Sequence, residues 1–263
     1  MSARNLRSPH RPSLQPLAGQ RRVLGVEFFA GTLEQSVQRG LRSRLIVAPA
    51  APALVDLPGD AEYREALEQA DLVLTDSGFM VLMWWLLSGE KFERISGLRY
   101  LKLLLEQREL RKPGAVLWVV PTAAARERNL AWLRTQGFQC NEADCYVAPF
   151  YPAANITDQQ LVALIEIRRP RHIVVCIGGG RQEKLGLQLA RTCAGPLSIH
   201  CVGAAMGFLS GDQVRIPDWA DRWYLGWAVR CLADPRRILP RYLKAFRLAG
   251  LLRHNRHLSP LPA

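Results

Sequence analysis

"IVVCIGGGRQEK", residues 173–184, is an apolar run that breaks at three glycines and turns polar at once. Its first half has the length and β-branched content of a strand buried on both faces. The stretch that follows, "RQEKLGLQLARTC", reads as a helix. The glycine turn between them has two readings. Either it brings backbone N–H groups close to an anion, or it is a tight connection that binds nothing. No Gly-Lys-Ser/Thr follows, so this is not a P-loop, and the spacing is not G-x-G-x-x-G. Gln182 and Glu183 fall in the first helical turn. An acid there complements the helix dipole, and a Gln can both donate to and accept from a sugar or a base edge.

The same strand–turn–helix alternation extends through the chain. "RVLGVEFF" (22–29), "RLIVAPA", "DLVLTDS" (71–77), "GAVLWVVPT" (114–122) and "LSIHCVGAAMGFLSG" read as strands and their turns. Helices are predicted over "TLEQSVQRGLRS", "DAEYREALEQA", "LRYLKLLLEQREL", "AARERNLAWLRTQG" and "DQQLVALIEIRRP". "GFMVLMWWLLSG" (78–89) is apolar all round, which predicts a buried helix. Apolar strands alternating with helices give an α/β fold: a mainly parallel, Rossmann-like sheet covered by helices on both faces. Ligands in such sheets bind beyond the carboxyl ends of strands. Asp76, Pro121–Thr122, Gly178–Gly180 and Gly203 are all predicted at such ends.

Charge divides the chain further. The formal net charge is +12, of which residues 1–22 carry five arginines and no acid. Residues 219–263 carry nine Lys/Arg against Asp221 and Asp234, so the middle is neutral. Basic ends attract polyanions such as nucleic acid, anionic lipid or a diphosphate. Residues 1–21 read as a disordered basic tail, with no apolar stretch of the kind a signal peptide needs. Residues 22–214 form the α/β domain, 215–250 a basic helical appendage and 251–263 a flexible tail. In the appendage Trp219, Trp223, Tyr224 and Trp227 alternate with arginines, and Pro235 and Pro240 break the helices. Such helices suit a membrane surface, a partner, or a lid over an anionic ligand. None of the six cysteines forms a C-x-x-C pair, which favours buried reduced thiols and a cytosolic setting. No apolar run is long enough to span a bilayer.

Five segments together resemble one family. "RVLGVEFFAGTLEQSVQ", "DAEYREALEQADLVLTDSGFMV", "ISGLRYLKLLLE", "GGGRQEK" and "VGAAMGFLSGDQVRIPDWADRWYLGWAVRCLADPRRILPRY" are similar, in order, to the WecG/TagA/CpsF glycosyltransferases. That resemblance covers about residues 22–245. It implies transfer of a sugar, of N-acetylmannosamine type, from a UDP-sugar to a lipid-linked or polysaccharide-precursor acceptor. It implies a cytoplasmic enzyme held peripherally at the inner face of the cell membrane, either a monomer or a homo-oligomer, with no cofactor beyond the UDP-sugar donor.

The resemblance carries roles residue by residue. Asp76 matches the family's catalytic aspartate, the general base for the acceptor hydroxyl. Its local alternative is a helix N-cap, since "TDSGF" also reads as a cap. Arg94, Gly178, Gly180, Gln182, Glu183, Gly203 and Arg215 match donor-site positions. Arg230, Arg237 and Arg241 match arginines that close over the diphosphate; a lipid-facing or solvated basic patch is the alternative. Without an obvious acidic metal site, these arginines would carry the leaving-group charge, making the enzyme metal-independent and inverting. Several family positions are replaced: Ala48 and Ala50 stand for a Thr-x-Asn, Pro121–Thr122 for a glycine pair, and Met206–Gly207 for a Phe-Asp. Ser77 separates Asp76 from its usual glycine, and Gly226 replaces a Glu. These changes motivate a second hypothesis, a catalytically degenerate binding or scaffold module. A nucleic-acid protein recruited by its basic ends is a third, but no recognised motif supports it.

Overall fold

The computed structural model describes residues 20–213, 217, 220 and 226–254. The expected site residue Arg215, the aromatic residues Trp219, Trp223 and Tyr224, and the side chains of Trp227, Arg230, Arg237 and Arg241 lie outside the described residues.

The apolar segments assemble into one eight-stranded sheet. Its strands are β1 (Gln20–Val23), β2 (Val26–Phe29), β3 (Leu45–Val47), β4 (Leu72–Val73), β5 (Val116–Val120), β6 (Cys145–Val147), β7 (His172–Val175) and β8 (Ser198–Cys201). They lie in the order β1-β2-β4-β3-β8-β7-β5-β6. Every pairing is parallel except β1 with β2.

The exception corrects the reading of "RVLGVEFF" as one strand. Leu24 (φ 53°) and Gly25 (φ 80°) both adopt positive φ, so the run folds into a hairpin that pairs Val23 with Val26. Two successive left-handed residues are the signature of a type I′ turn, whose twist matches that of the flanking strands. Strand β1 accordingly includes Gln20 and Arg21, which the sequence reading placed in a tail.

Helices cover both faces, as the continuous apolar strands require. Alternate residues of each strand feed different cores. Leu45, Val47, Ile173 and Val175 point into one, and Ile46, Val174, Trp118 and Val120 into the other. The first core is closed by α2 (Ala51–Leu54), α3 (Ala61–Glu68), α4 (Gly78–Ser88), α7 (Gln159–Arg168) and α8 (Arg181–Thr192). The second is closed by α1 (Leu33–Gly40), α5 (Gly97–Leu105), α6 (Ala123–Thr135) and α9 (Ala205–Ser210). Close approach explains one glycine: a Cβ on Gly186 of α8 would lie 2.6 Å from Cys201 Sγ and 2.9 Å from Leu45 Cδ1. All six cysteines are free thiols, with Cys176 and Cys201 buried.

Three further expectations change. The apolar helix α4 is not buried all round: Met80, Val81 and Trp84 face the core, while Leu82, Trp85 and Leu86 are exposed. The C-terminal region forms α10 (Gly226–Ala233), α11 (Pro235–Ala245) and α12 (Arg247–His254). Pro235 starts α11, where its missing N–H costs nothing, but Pro240 sits inside that helix rather than ending it. Helix α12 runs past residue 250 with Leu248 and Leu252 buried, so residues 251–254 belong to the folded body. Among the described residues no helix is long and apolar enough to cross a membrane.

Candidate active site

The carboxyl ends of β3, β4, β5, β7 and β8 open into a cavity of about 490 Å³. Ala48 and Ala50 follow β3, Asp76 follows β4, Pro121 follows β5, Gly178 and Gly179 follow β7, and Gly203 follows β8; all of them line it. The crevice includes the point where the sheet's connections run to opposite sides, since the neighbouring strands β7 and β5 lead inward to β8 and outward to β6. This is the switch point at which open α/β sheets bind ligands. Thr122 does not join the lining; its hydroxyl caps α6, accepting from the Ala125 N–H at 3.0 Å.

Asp76 is held on both sides of its α-carbon. Arg94 Nε donates to its backbone carbonyl at 3.0 Å, and the Gly97 N–H donates to its Oδ1 at 2.8 Å. Gly97 is the first residue of α5, so the carboxylate sits at the positive end of that helix. The preceding Thr75 fixes the same loop, donating to the Glu93 carbonyl at 2.6 Å and accepting from the Ile95 N–H at 3.0 Å. The capping role belongs to Ser77, whose Oγ accepts from the Met80 N–H at 3.0 Å. Asp76 is therefore not the cap of α4. Gly97 also packs closely behind the site, since a Cβ there would approach the Val202 carbonyl to 3.1 Å and Ala48 Cβ to 3.4 Å.

The glycine turn after β7 is built around a buried acid. Gly180 has φ 87°, a conformation that L side chains rarely adopt. Its N–H donates to Glu183 Oε2 at 2.7 Å, and Gln182 Nε2 donates to Glu183 Oε1 at 3.0 Å. The amide oxygen of Gln182 accepts from the Gly203 N–H at 2.8 Å, tying the turn after β8 to the turn after β7. Glu183 is fully buried and Gln182 is 1% exposed. Burial pushes the Glu183 carboxyl up to about 7, its hydrogen bonds hold it down, and the nearby Asp76 charge raises it further. Of the pair expected to contact a ligand, Gln182 lines the cavity and Glu183 does not. Glu183 braces the turn after β7 from beneath, and Gly178, Gly179, Gln182 and Gly203 face the cavity, with Gln182 also tying the two turns together.

The opposite wall comes from α4 and the C-terminal helices. Phe79 and Leu82 of α4, Gly226 of α10, and Tyr242, Ala245 and Phe246 at the end of α11 all line the cavity. Phe79 and Phe246 meet edge to face, 5.6 Å between centroids. Lys244 pairs with Asp56 at 2.6 Å and fixes the end of α11 to the loop after α2. Arg230 lies on α10 and Arg237 and Arg241 on α11, so Arg230 and Arg237 do not share one continuous helix.

Sequence reasoning missed a third group: Ser96, Asn129, Asp212 and Gln213 also line the cavity. Asn129 is 2% exposed and accepts from Ser210 Oγ at 2.6 Å, while Asp212 pairs with Arg128 at 2.7 Å. Asn129 had a readable signal, standing at i+4 between Ala125 and Leu133 on the buried stripe of α6. Gln213 had none; it folds back so that a Cβ on Gly207 would lie 2.7 Å from its Cγ. The space at Gly207 is thus filled by Gln213. Among the described residues no group of three or more His, Cys, Asp and Glu side chains is arranged to hold a metal ion.

The family model described as "Glycosyl transferase WecG/TagA/CpsF family" matches residues 21–259. No curated protein matches the sequence.

Proposed function

The chain belongs to the WecG/TagA/CpsF glycosyltransferase family, and from that premise we propose that the cavity transfers a sugar from a UDP-sugar to a lipid-linked or polysaccharide-precursor acceptor. The donor sugar is of N-acetylmannosamine type or a relative of it. One observation carries the reading: the Asp76 carboxylate stands at a strand end inside the cavity, fixed through the Gly97 N–H at 2.8 Å. An acceptor hydroxyl attacks the anomeric carbon while its proton passes to Asp76. The bond from that carbon to the diphosphate breaks, its electron pair leaves with UDP, and a single displacement inverts the configuration. The departing diphosphate needs positive charge, which this reading assigns to Arg94 in the cavity wall and to Arg215, Arg230, Arg237 and Arg241. Metal independence belongs to the same reading. The basic C-terminal helices would hold the enzyme peripherally on an anionic membrane surface at the cytoplasmic side.

A second reading, a binding module without turnover, is favoured by the alanine-rich wall of Ala48, Ala50, Ala51 and Ala53 and by the filling of the Gly207 space. The experiment that separates them is release of UDP from a UDP-sugar in the presence of lipid-linked acceptor. The transferase reading expects release by the wild type and a loss of roughly a hundredfold or more in Asp76→Asn, in line with removal of a general base. Asparagine retains an oxygen for the Gly97 N–H, so the loop should keep its shape. No release by a wild type that binds UDP would favour the binding module.

A further inference from the structure

Six of the exposed large apolar side chains fall on two helices: Leu82, Trp85 and Leu86 on α4, and Leu239, Leu243 and Phe246 on α11 and the residue after it. Each set is one stripe. Phe79, Leu82 and Leu86 are spaced i, i+3, i+7, and Leu239, Leu243 and Phe246 are spaced i, i+4, i+7. Both stripes run out of the cavity, because Phe79, Leu82 and Phe246 also line it and the two phenylalanine rings touch at its mouth. The two stripes therefore meet beside the cavity as one apolar face. Helix α4 carries no charged residue over its whole length, so nothing polar interrupts its share of that face.

The helices that carry half of this face are cationic. Lys91 Nζ lies over the Trp85 ring, 5.2 Å from its centroid, and Arg236, Arg247 and Arg253 are exposed on the C-terminal helices. Residues 226–254 hold seven Lys/Arg against Asp234. An apolar stripe with aromatic rings and flanking cations suits the boundary between anionic headgroups and acyl chains. A second copy of the chain would set like charge against like charge.

We propose that α4 is a membrane-seating element, which with the stripe of α11 rests on an anionic bilayer and sets the cavity mouth at the lipid surface. This goes beyond a basic C-terminal anchor, since it assigns part of the contact to a helix of the α/β domain itself. Its purpose, presenting the cavity to an acceptor in the membrane, rests on the transferase reading; the binding does not.

The test is co-sedimentation of the full chain with vesicles of equimolar phosphatidylglycerol and phosphatidylcholine. Trp85→Ser combined with Leu86→Ser removes apolar surface from α4 without touching the cavity lining. The double variant should melt as the wild type does, bind UDP as the wild type does, and lose about tenfold or more in partitioning. Unchanged partitioning would overturn the proposal. So would loss of a dimer in the double variant with vesicle binding intact, which would mark the face as a contact between copies. As an independent check, amide exchange in α4 of the wild type should slow on vesicles; unaltered exchange there would also overturn it. A failed transferase reading appears instead as absent UDP binding and leaves the sedimentation result standing.

Discussion

Replacing Glu183 by Gln should change the pH dependence of stability in a predictable sense. The carboxyl is fully buried and raised from 4.5 to about 7. Between those values the folded chain binds more protons at this site than the unfolded chain does, so stability falls as pH rises through that window. A displacement of this size corresponds to roughly 3 kcal/mol, present below the unfolded value and lost once pH exceeds the folded one. Glutamine cannot ionise, and it keeps an oxygen for the Gly180 N–H. Its new amide beside Gln182 adds an offset, but that offset does not vary with pH. The quantity to follow is therefore the melting temperature of Glu183→Gln minus that of the wild type, measured from pH 5 to pH 8. For a chain of this size it should climb by about 6–12 °C across the range. Parallel melting curves at every pH would refute the reasoning and show that Glu183 is ionised in both states throughout.

Other outcomes follow from neighbouring features. Burial holds His172 down at about 4 and His200 well below its ordinary value, so the unfolded chain binds more protons and stability is lost as pH falls below about 6.5. Glu183→Gln should expose this acid-side loss, which the wild-type glutamate opposes, and acid titration of the variant's melting temperature checks it. Gly180→Ala meets no atom within 4 Å but must hold φ 87°, so it should cost about 1–3 kcal/mol in denaturant melts through backbone strain alone. Gly40→Ala would place a Cβ 2.0 Å from Tyr100 Oη and should destabilise by roughly 1–3 kcal/mol, a loss that Tyr100→Phe partly relieves in a double-mutant cycle. If arginines carry the leaving-group charge, UDP release should persist in excess chelator; loss of activity restored by a divalent cation would refute that assignment.

The sheet was legible because its strands are near-continuous apolar runs, the pattern that burial on both faces imposes, and "HIVVC" and "VLWVV" show it most clearly. The hairpin hidden in "RVLGVEFF" was not legible, because Leu24 lacks the Asn or Asp that usually announces a left-handed turn position. The apolar composition of α4 predicted burial, yet composition cannot distinguish a core face from a face turned outward beside a cavity mouth. In the site, the strand-end residues could be read from position alone, and Asp76, Gly178 and Gly203 do meet in one cavity. The bracing by Gln182 and Glu183 could not, since a polar pair in a first helical turn looks the same whether or not it also holds the Gly203 and Gly180 N–H groups. Asp212 and Gln213 reach the cavity through a loop that folds back onto Gly207, a tertiary event without a local signature.

The central claim, that this cavity is a nucleotide-sugar site, is tested most directly by calorimetric titration of UDP into the wild type and Gly178→Phe. Gly178 faces the cavity, its φ is not positive, and a Cβ there meets nothing within 4 Å, so a bulky side chain fits the backbone while intruding on the ligand space. The account predicts UDP binding on the order of micromolar by the wild type, or about −8 kcal/mol. It predicts loss of that binding in Gly178→Phe with an unchanged melting temperature. Absent binding by the wild type, or equal binding by a folded Gly178→Phe, would contradict it.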